Sequence, residues 1–196
     1  MTNRILDWRS AAKDLTEALS STDPTPGGGA AAAVAGAMAC ALGCMAAAIS
    51  LKSKKLNPEA KPELEAYAAK MASLRDRFHQ LADEDAAAFE RFMLVVTLPK
   101  EDANRARRLQ ETALSAAEVP LTTAEAAAEA YKETQRASRL AAGTVASDLW
   151  CACHLFHAAA ESAKENVIIN LRVLKDPART SRLQERLTEA LAAFHA

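Results

Sequence analysis

The sequence predicts an all-α fold, a single-domain bundle of about seven helices built around a long Ala/Gly-rich central helix. Half of the 196 residues are hydrophobic but only 5% are aromatic, and alanine runs at 30–33, 86–88 and 158–160 make up the difference. Alanine is the best helix former and a poor strand residue. The length suits one hydrophobic core and no linker divides it, so residues 1–196 are expected to form one domain.

Helix boundaries follow from the hydrophobic spacing and the breaker residues. They predict helices over 3–20, 29–51, 58–95, 98–119, 120–140, 148–174 and 178–194. The second helix carries no charge from Ala30 to Ile49, which is long enough to cross a membrane. Alanine and glycine lie near zero on insertion scales, so a buried central helix is favoured over a membrane span.

Charge and cysteine content narrow the function classes. The formal net charge of −1 supplies no basic field for nucleic acid or an anionic membrane. The N-terminus lacks the apolar run of a signal peptide, and the four cysteines form no CxxC pair. Buried thiols in a reducing, cytoplasmic compartment are therefore expected. No metal site is predicted, because the conceivable zinc ligands lack a usual spacing: Cys151, Cys153, His154 and His157.

The segment from Asp23 to Gly29 is the strongest break in the helical pattern. Its three successive glycines, Gly27, Gly28 and Gly29, follow Pro26 and lead directly into a helix. Glycines allow a backbone to approach a ligand closely, and a helix N-terminus offers free N–H groups to an anion. A tight turn with close helix packing explains the same residues equally well.

Polar residues interrupt the apolar helices at three further places. Ser147 and Asp148 begin the sixth predicted helix, where they suit either a helix cap or the border of a cleft. Asn166 and Asn170 are four residues apart and share one face, which is typical of a polar network or a ligand site. Asp85 is the odd polar member of an apolar stripe.

In their order and spacing, these segments resemble the formiminotransferase-cyclodeaminase C-terminal domain family, which includes stand-alone methenyltetrahydrofolate cyclohydrolases. The resemblance covers nearly the whole chain. The segments that carry it are PTPGGG at 24–29, KSKK at 52–55, DEDAAAF at 83–89, LPK at 98–100, AEVPL at 117–121, SDL at 147–149 and NVIINL at 166–171. It implies an all-α homodimer with a reduced-folate site between helices, and no metal or other cofactor.

The resemblance also implies roles for individual residues. Asp148 would be the catalytic acid–base group, although a carboxylate can instead anchor the pterin. The pocket would be lined by Pro26, Gly27, Gly28, Gly29, Asp85, Ser147, Asn166 and Asn170. Lys54 and Lys55 would meet the glutamate carboxylates of the folate, or else form a solvated helix end.

The implied reaction converts 5-formiminotetrahydrofolate to 5,10-methenyltetrahydrofolate and ammonia. Hydrolysis of the methenyl compound to 10-formyltetrahydrofolate is the alternative in the same pocket. A non-enzymatic folate-binding or scaffold homologue is a third possibility, because the Gly-Asn that usually precedes the SD motif is replaced by Ala141-Ala142-Gly143.

Overall fold

The computed structural model describes residues 7–195, and these contain helices and no strand. The helices are α1 Trp8–Leu19, α2 Gly28–Lys52, α3 Lys61–Val96, α4 Arg105–Ser138, α5 Ala146–Leu171 and α6 Pro177–Ala192, with a single 3₁₀ turn at Pro58–Ala60 before α3. The predicted all-α class is confirmed. Residues 3–6 of the first predicted helix lie outside the described part of the chain.

Helices α2 to α5 form an antiparallel up-down-up-down bundle. Each of α2 and α4 packs beside both α3 and α5, and the connections between successive helices are short. Helix α6 covers α4 and α5, whereas α1 makes at most a marginal contact with the rest. The alternating directions bring the start of α2 and the end of α5 to one end of the bundle.

Glycines let α2 and α3 approach closely. Gly29, Gly36 and Gly43 are seven residues apart on α2, and each faces a side chain of α3. A Cβ at Gly36 would lie 2.5 Å from the Phe78 ring, and one at Gly43 would overlap the Tyr67 hydroxyl. The Tyr67 hydroxyl in turn bonds the buried Thr134 of α4 at 3.0 Å. Small residues on α2 therefore make the space that larger α3 side chains fill.

The predicted helix boundary at Pro120 is wrong. Pro120 lies inside α4, so the predicted fourth and fifth helices are one helix and the described residues hold six α-helices. A proline in a helix interior leaves the carbonyl four residues earlier without its N–H donor. Here the Asn170 Nδ2 of α5 donates to the Ala116 oxygen at 2.8 Å and replaces the lost bond.

The start of α5 also differs from the capping interpretation. The N-cap position is Val145, with no side-chain cap, and Asp148 falls within the first turn. The Ser147 hydroxyl donates back to the Thr144 carbonyl at 3.4 Å. A negative side chain in the first turn is favourable for the helix dipole, but neither residue caps this helix.

Helix α2 is the one helix among residues 7–195 that is long and apolar enough to span a membrane. Its inner face lies in the bundle core, where Ala33, Ala39 and Cys40 are fully buried. Its outer face exposes Met38, Met45 and Ile49 by 51%, 42% and 47%. The prediction of a central core helix is confirmed for the inner face, and an apolar strip remains on the outside.

Candidate functional site

A cavity of about 390 Å³ opens at the end of the bundle where α2 begins and α5 ends. It lies among the loop before α2 and parts of α3, α4 and α5. The residues that line it are Pro24, Thr25, Gly27, Gly28, Asp85, Phe89, Phe92, Ala116, Asn166, Ile169, Asn170, Arg172 and Val173. Its walls combine apolar side chains with a few polar groups, which is the usual make-up of a small-molecule site.

The start of α2 forms the polar floor of this cavity. A Cβ at Gly28 would lie 3.4 Å from the Asn166 Nδ2, and one at Gly29 would overlap the Asp85 carboxylate. The lack of a side chain at Gly29 therefore lets the Asp85 carboxylate reach a helix N-terminus, and Asn166 lies beside Gly28 in ordinary contact distance. Gly27, the N-cap residue, supplies no side-chain cap, and the first N–H groups of a helix lack intrahelical acceptors.

Asp85 is the only carboxylate among the residues that line the cavity. Burial raises the pKa of its carboxyl above the ordinary value of 3.8, and the backbone N–H of Ala30 opposes this rise. Asp85, which lies on α3, thus accepts a backbone N–H at the start of α2, as an N-cap side chain does. A carboxyl with a raised pKa that faces a cavity is also a candidate for binding or proton transfer.

The two asparagines present acceptors to the cavity side of α5. The Asn166 Nδ2 donates to the Ser162 carbonyl at 3.0 Å, and the Asn170 Nδ2 donates to both the Asn166 and Ala116 carbonyls. Their amide hydrogens are therefore directed to backbone oxygens. Within residues 7–195 no donor reaches either Oδ1 oxygen, so both remain available to a ligand.

The rest of the lining is mostly apolar and includes one cation, Arg172. Phe89 and Phe92 of α3 line the cavity together with Ile169 and Val173, and Arg172 follows directly after α5. A shallower apolar groove continues past Pro24 and Phe89 along Met93 and Leu94. Along α3 and α5, away from the start of α2, the lining therefore runs from Asp85 and Asn166 to Phe89, Phe92 and Arg172.

Comparison with known proteins identifies the chain's family. A sequence profile of the formiminotransferase-cyclodeaminase family matches residues 11–189, which is most of the chain. The chain belongs to that family. The resemblance predicted from the motifs is confirmed.

Two relatives show how the family members differ in length. The chain is 33% identical over 177 residues to a methenyltetrahydrofolate cyclohydrolase of Methylorubrum extorquens, with 88% of this chain and 83% of that protein covered. It is 31% identical over 182 residues to the formimidoyltransferase-cyclodeaminase of Sus scrofa, with 87% of this chain but 32% of that protein covered. The chain thus spans about a third of the longer relative.

The fold is shared with a solved family member. The crystal structure of formiminotetrahydrofolate cyclodeaminase from Thermotoga maritima superposes with a TM-score of 0.86 at 31% sequence identity. The match covers 93% of this chain and 89% of the other. This chain and that cyclodeaminase therefore share one architecture.

Some of the residues suggested by the family motifs meet at the cavity. Gly27, Gly28, Asp85, Asn166 and Asn170 line it, although they come from three distant parts of the sequence. Pro26 lies within the same loop, and Gly29 lies against the Asp85 carboxylate. Both interpretations of the glycine bend therefore apply. It is a tight turn into α2, and it also forms one wall of the cavity.

The other suggested residues lie at the opposite end of the bundle. Asp148 and Ser147 are in the first turn of α5, about 27 Å along the helix from Asn166 at 1.5 Å per residue. Lys54 and Lys55 follow the end of α2, about 36 Å from Gly28 by the same rise. The Ser50 hydroxyl accepts the Ala142 N–H at 3.2 Å, so these two helix ends lie side by side. Within one chain, they cannot contact the cavity.

The sequence did not single out Arg172, the aromatic pair Phe89 and Phe92, or Ile169 as site residues. The two phenylalanines belong to the same apolar stripe of α3 as Asp85, and the structure leaves them half-buried. Arg172 had a usable signal, since it is the first charged residue after the uncharged run 166–171. Such a charge at the end of an apolar helix face lies where a cavity would open.

The cysteines and histidines lie elsewhere. Cys40 and Cys153 are buried as small hydrophobes, and burial raises the pKa of the Cys153 thiol to about 11. Cys151 and His154 are exposed, while His157 stacks on Phe194 at 5.0 Å. In the described part of the chain, no group of three or more His, Cys, Asp or Glu side chains is arranged to hold a metal ion.

Proposed function

We propose that the cavity binds a reduced folate and that the protein transforms the one-carbon unit carried by its N5 and N10 atoms. The observation that supports this most is the set of acceptors at the floor, namely the Asp85 carboxylate and the Oδ1 oxygens of Asn166 and Asn170. A pterin ring presents N–H and amino donors along one edge, so it matches acceptors. Phe89 and Phe92 offer apolar surface to the aromatic part of the same ligand.

The first candidate reaction is cyclodeamination of 5-formiminotetrahydrofolate. The N10 lone pair attacks the carbon of the formimino group, whose nitrogen is protonated, and the C–N10 bond forms as the C=N double bond becomes single. A proton then passes from N10 to the amino nitrogen, and the C–N bond to that nitrogen breaks. Ammonia leaves and the 5,10-methenyl cation remains, so the reaction needs one group that accepts and returns a proton.

Asp148 remains our candidate for that proton-transfer group. Because it cannot reach the cavity of its own chain, we propose that a second copy of the chain supplies it. In this proposal Asp85 binds the pterin, and the partner's Asp148 faces the N10 side. The proposal requires a homodimer in which each cavity is completed by the opposite end of the other bundle. Asp148 is half-exposed in the single chain, as an interface residue must be before assembly.

The outer face of α2 supports this dimer. Its exposed apolar residues Met38, Met45 and Ile49 lie on a helix with no charge before Lys52. A two-fold axis that crosses α2 between Met38 and Met45 pairs this strip with itself. The same axis reverses the helix, so each start of α2 would lie beside the end of its partner's. A self-complementary uncharged face favours a second copy over a charged partner.

The cyclohydrolase reaction is the second candidate. It is favoured by the identity of 33% to a methenyltetrahydrofolate cyclohydrolase whose length this chain largely matches. Water adds to the methenyl carbon and gives up a proton, the C–N5 bond breaks, and N5 takes a proton. The 10-formyl compound forms and one proton is released, which the same carboxylate can accept.

One pair of assays tests the proposal. The purified protein is incubated separately with 5-formiminotetrahydrofolate and with 5,10-methenyltetrahydrofolate, and the methenyl absorbance is followed. Its appearance in the first assay indicates cyclodeamination, and its accelerated loss in the second indicates hydrolysis. Asp148→Asn should abolish either activity, with Asp14→Asn on the exposed α1 as the matched control.

Melting temperatures separate an enzyme from a non-enzymatic homologue. Ligand that binds the native state raises the melting temperature, and the stabilisation grows with the logarithm of the ratio of ligand concentration to Kd. A folate-induced rise without turnover would indicate a binding protein. Neither turnover nor a rise with any reduced folate would contradict the folate proposal altogether.

A further inference from the structure

We infer that Arg172 binds the carboxylate tail of the ligand and makes the cavity selective for folates that carry glutamate. This inference rests on the proposed function and concerns the rim of the same cavity. The sequence suggests Lys54 and Lys55 for this role, but within one chain they lie at the other end of the bundle and could reach the cavity only from a second copy. Arg172 is the one cation among the residues that line the cavity.

The order of groups along the helices gives the direction of the ligand. Asp85 and Asn166 both meet the start of α2, so they mark one level of the cavity. Helices α3 and α5 run in the same direction from this level, because both are antiparallel to α2. Phe89 then shares a level with Asn170, and Phe92 shares one with Arg172, about 9 Å along α5 from Asn166 at 1.5 Å per residue.

This order matches the chemical order within a folate. The donor-rich pterin fits the acceptors at the floor, and the p-aminobenzoyl ring fits the apolar level of Phe89 and Phe92. The glutamate then reaches the rim, where a guanidinium group can bind a carboxylate through two parallel N–H donors. A ligand placed the other way round would bring carboxylates against Asp85.

Arg172 is exposed, and it forms no ion pair with the acids closest to it along the chain. The acidic residues closest to it along the chain are Glu165 and Asp176. Glu165 lies 3.8 Å from the Lys164 ammonium, and Asp176 lies 3.3 Å from the Arg179 guanidinium. Arg172 is exposed and borders a second depression with Thr180 and Gln184 as well as the cavity itself.

Exposure sets the expected size of the effect. An ion pair in contact with water is worth up to about 1 kcal/mol, which is roughly fivefold in affinity, and bidentate geometry adds to this. Salt screens such a pair over about 8 Å at physiological ionic strength. The selectivity should therefore be modest and should decrease as salt is added.

The test compares two substrates that differ only in the tail. One is the reduced folate with its glutamate, and the other is the same molecule with the p-aminobenzoyl group ended as an uncharged methylamide. We expect the wild type to prefer the glutamate compound by about five- to tenfold in kcat/KM, mainly through KM. Arg172→Gln should abolish this preference, and Arg172→Lys should retain part of it because the charge remains.

Two controls separate Arg172 from other cations. Lys175→Gln removes a neighbouring exposed charge that does not line the cavity, and the preference should be unchanged. Lys54→Gln combined with Lys55→Gln tests the rival lysines, including those that a second copy would supply. Loss of the preference in this double variant, or its survival in Arg172→Gln, would overturn the inference while turnover continued to support the folate proposal. If the wild type transforms neither compound, the proposed function itself fails.

Discussion

Asp85 contacts the start of α2 and also lines the cavity. Its carboxylate lies against Gly29 and the first N–H groups of α2, where burial raises its pKa above 3.8. Burial of this carboxylate costs free energy, which the N–H groups at the start of α2 offset in part. The same carboxylate can therefore cap α2 and also accept hydrogen bonds from a ligand with N–H donors.

Replacement of Asp85 by asparagine should separate these two roles. The folded state of the wild type holds the Asp85 proton to a higher pH than the unfolded state does, so its free energy of unfolding falls as pH rises from 3.8 through the raised pKa. Asp85→Asn lacks this loss, and its stability relative to the wild type should increase from acidic to neutral pH. Urea denaturation at several pH values measures this trend.

Ligand binding should change in the opposite direction. Loss of a charged acceptor is expected to weaken folate binding by about ten- to a hundredfold, as for a hydrogen bond worth about 1.5–3 kcal/mol. Asp83→Asn, an exposed carboxylate two residues earlier on α3, is the matched control. A variant at residue 85 that was less stable at neutral pH and bound folate normally would make Asp85 a structural cap only.

At this scale, the sequence allowed some side chains to be recognised and not others. Asp85 could be identified because a lone acid in an apolar stripe has no packing role. The sequence predicted only part of the role of Asn170. Its hydrogen bond to the Ala116 carbonyl joins residues that are 54 positions apart in the sequence. No local pattern contains that distance.

Helix α4 shows how an element depends on a neighbour for its continuity. Pro120 removes the donor for the Ala116 carbonyl, and Asn170 of α5 supplies another at 2.8 Å. The sequence predicted a boundary at this point because an interior proline usually ends or kinks a helix. The boundary fails because a side chain from a different helix bonds the orphaned oxygen, and sequence spacing cannot reveal such a partner.

A double-mutant cycle tests this substitution of one donor for another. In the wild type, Asn170→Ala should cost about 1–3 kcal/mol of unfolding free energy, because the Ala116 carbonyl loses its donor. In a Pro120→Ala background the backbone N–H of residue 120 can bond that carbonyl, so the same substitution should cost less. Chemical denaturation of the four proteins gives the coupling energy.

Asn166 provides a control for the cycle. Its Nδ2 donates within α5, to the Ser162 carbonyl, and not to α4. Asn166→Ala should therefore show no comparable coupling to Pro120→Ala. Equal costs of Asn170→Ala in both backgrounds would mean that the Asn170 amide does not compensate for the proline.

The candidate site residues lie at both ends of the bundle. The cavity, with Asp85 and the asparagines, lies where α2 begins, and Asp148 lies at the far end of α5. The all-α class and most helices were predictable, since alanine content and helical spacing are local properties. Which residues share an end depends on helix directions and on assembly, and these are properties of the folded chains together.

Mixed dimers test whether the two ends belong to one site. Asp85→Asn and Asp148→Asn should each have strongly reduced turnover alone. After dissociation and reassembly of an equal mixture, half of the dimers are mixed, and each mixed dimer holds one intact site. Turnover should recover to about one quarter of the wild-type value if two-fold dimers form at random.

The controls concern the interface and the exchange of subunits. Met45→Glu places a charge on the outer strip of α2, and it should give a monomer in solution scattering with low turnover. Each single variant, treated in the same way without the other, should stay inactive. No recovery in a mixture whose exchange is demonstrated by tagged subunits would place both carboxylates in independent roles.

The seven-residue spacing of Gly29, Gly36 and Gly43 also ties the evolution of two helices together. The space beside these glycines is filled by Asp85, Phe78 and Tyr67 of α3. The size of the residue at each glycine position therefore depends on the size of its partner in α3. A lineage can enlarge residue 36 only after residue 78 has become smaller. Substitutions in the two helices should therefore have accumulated as linked exchanges, with position 29 the most restricted because its partner also faces the cavity.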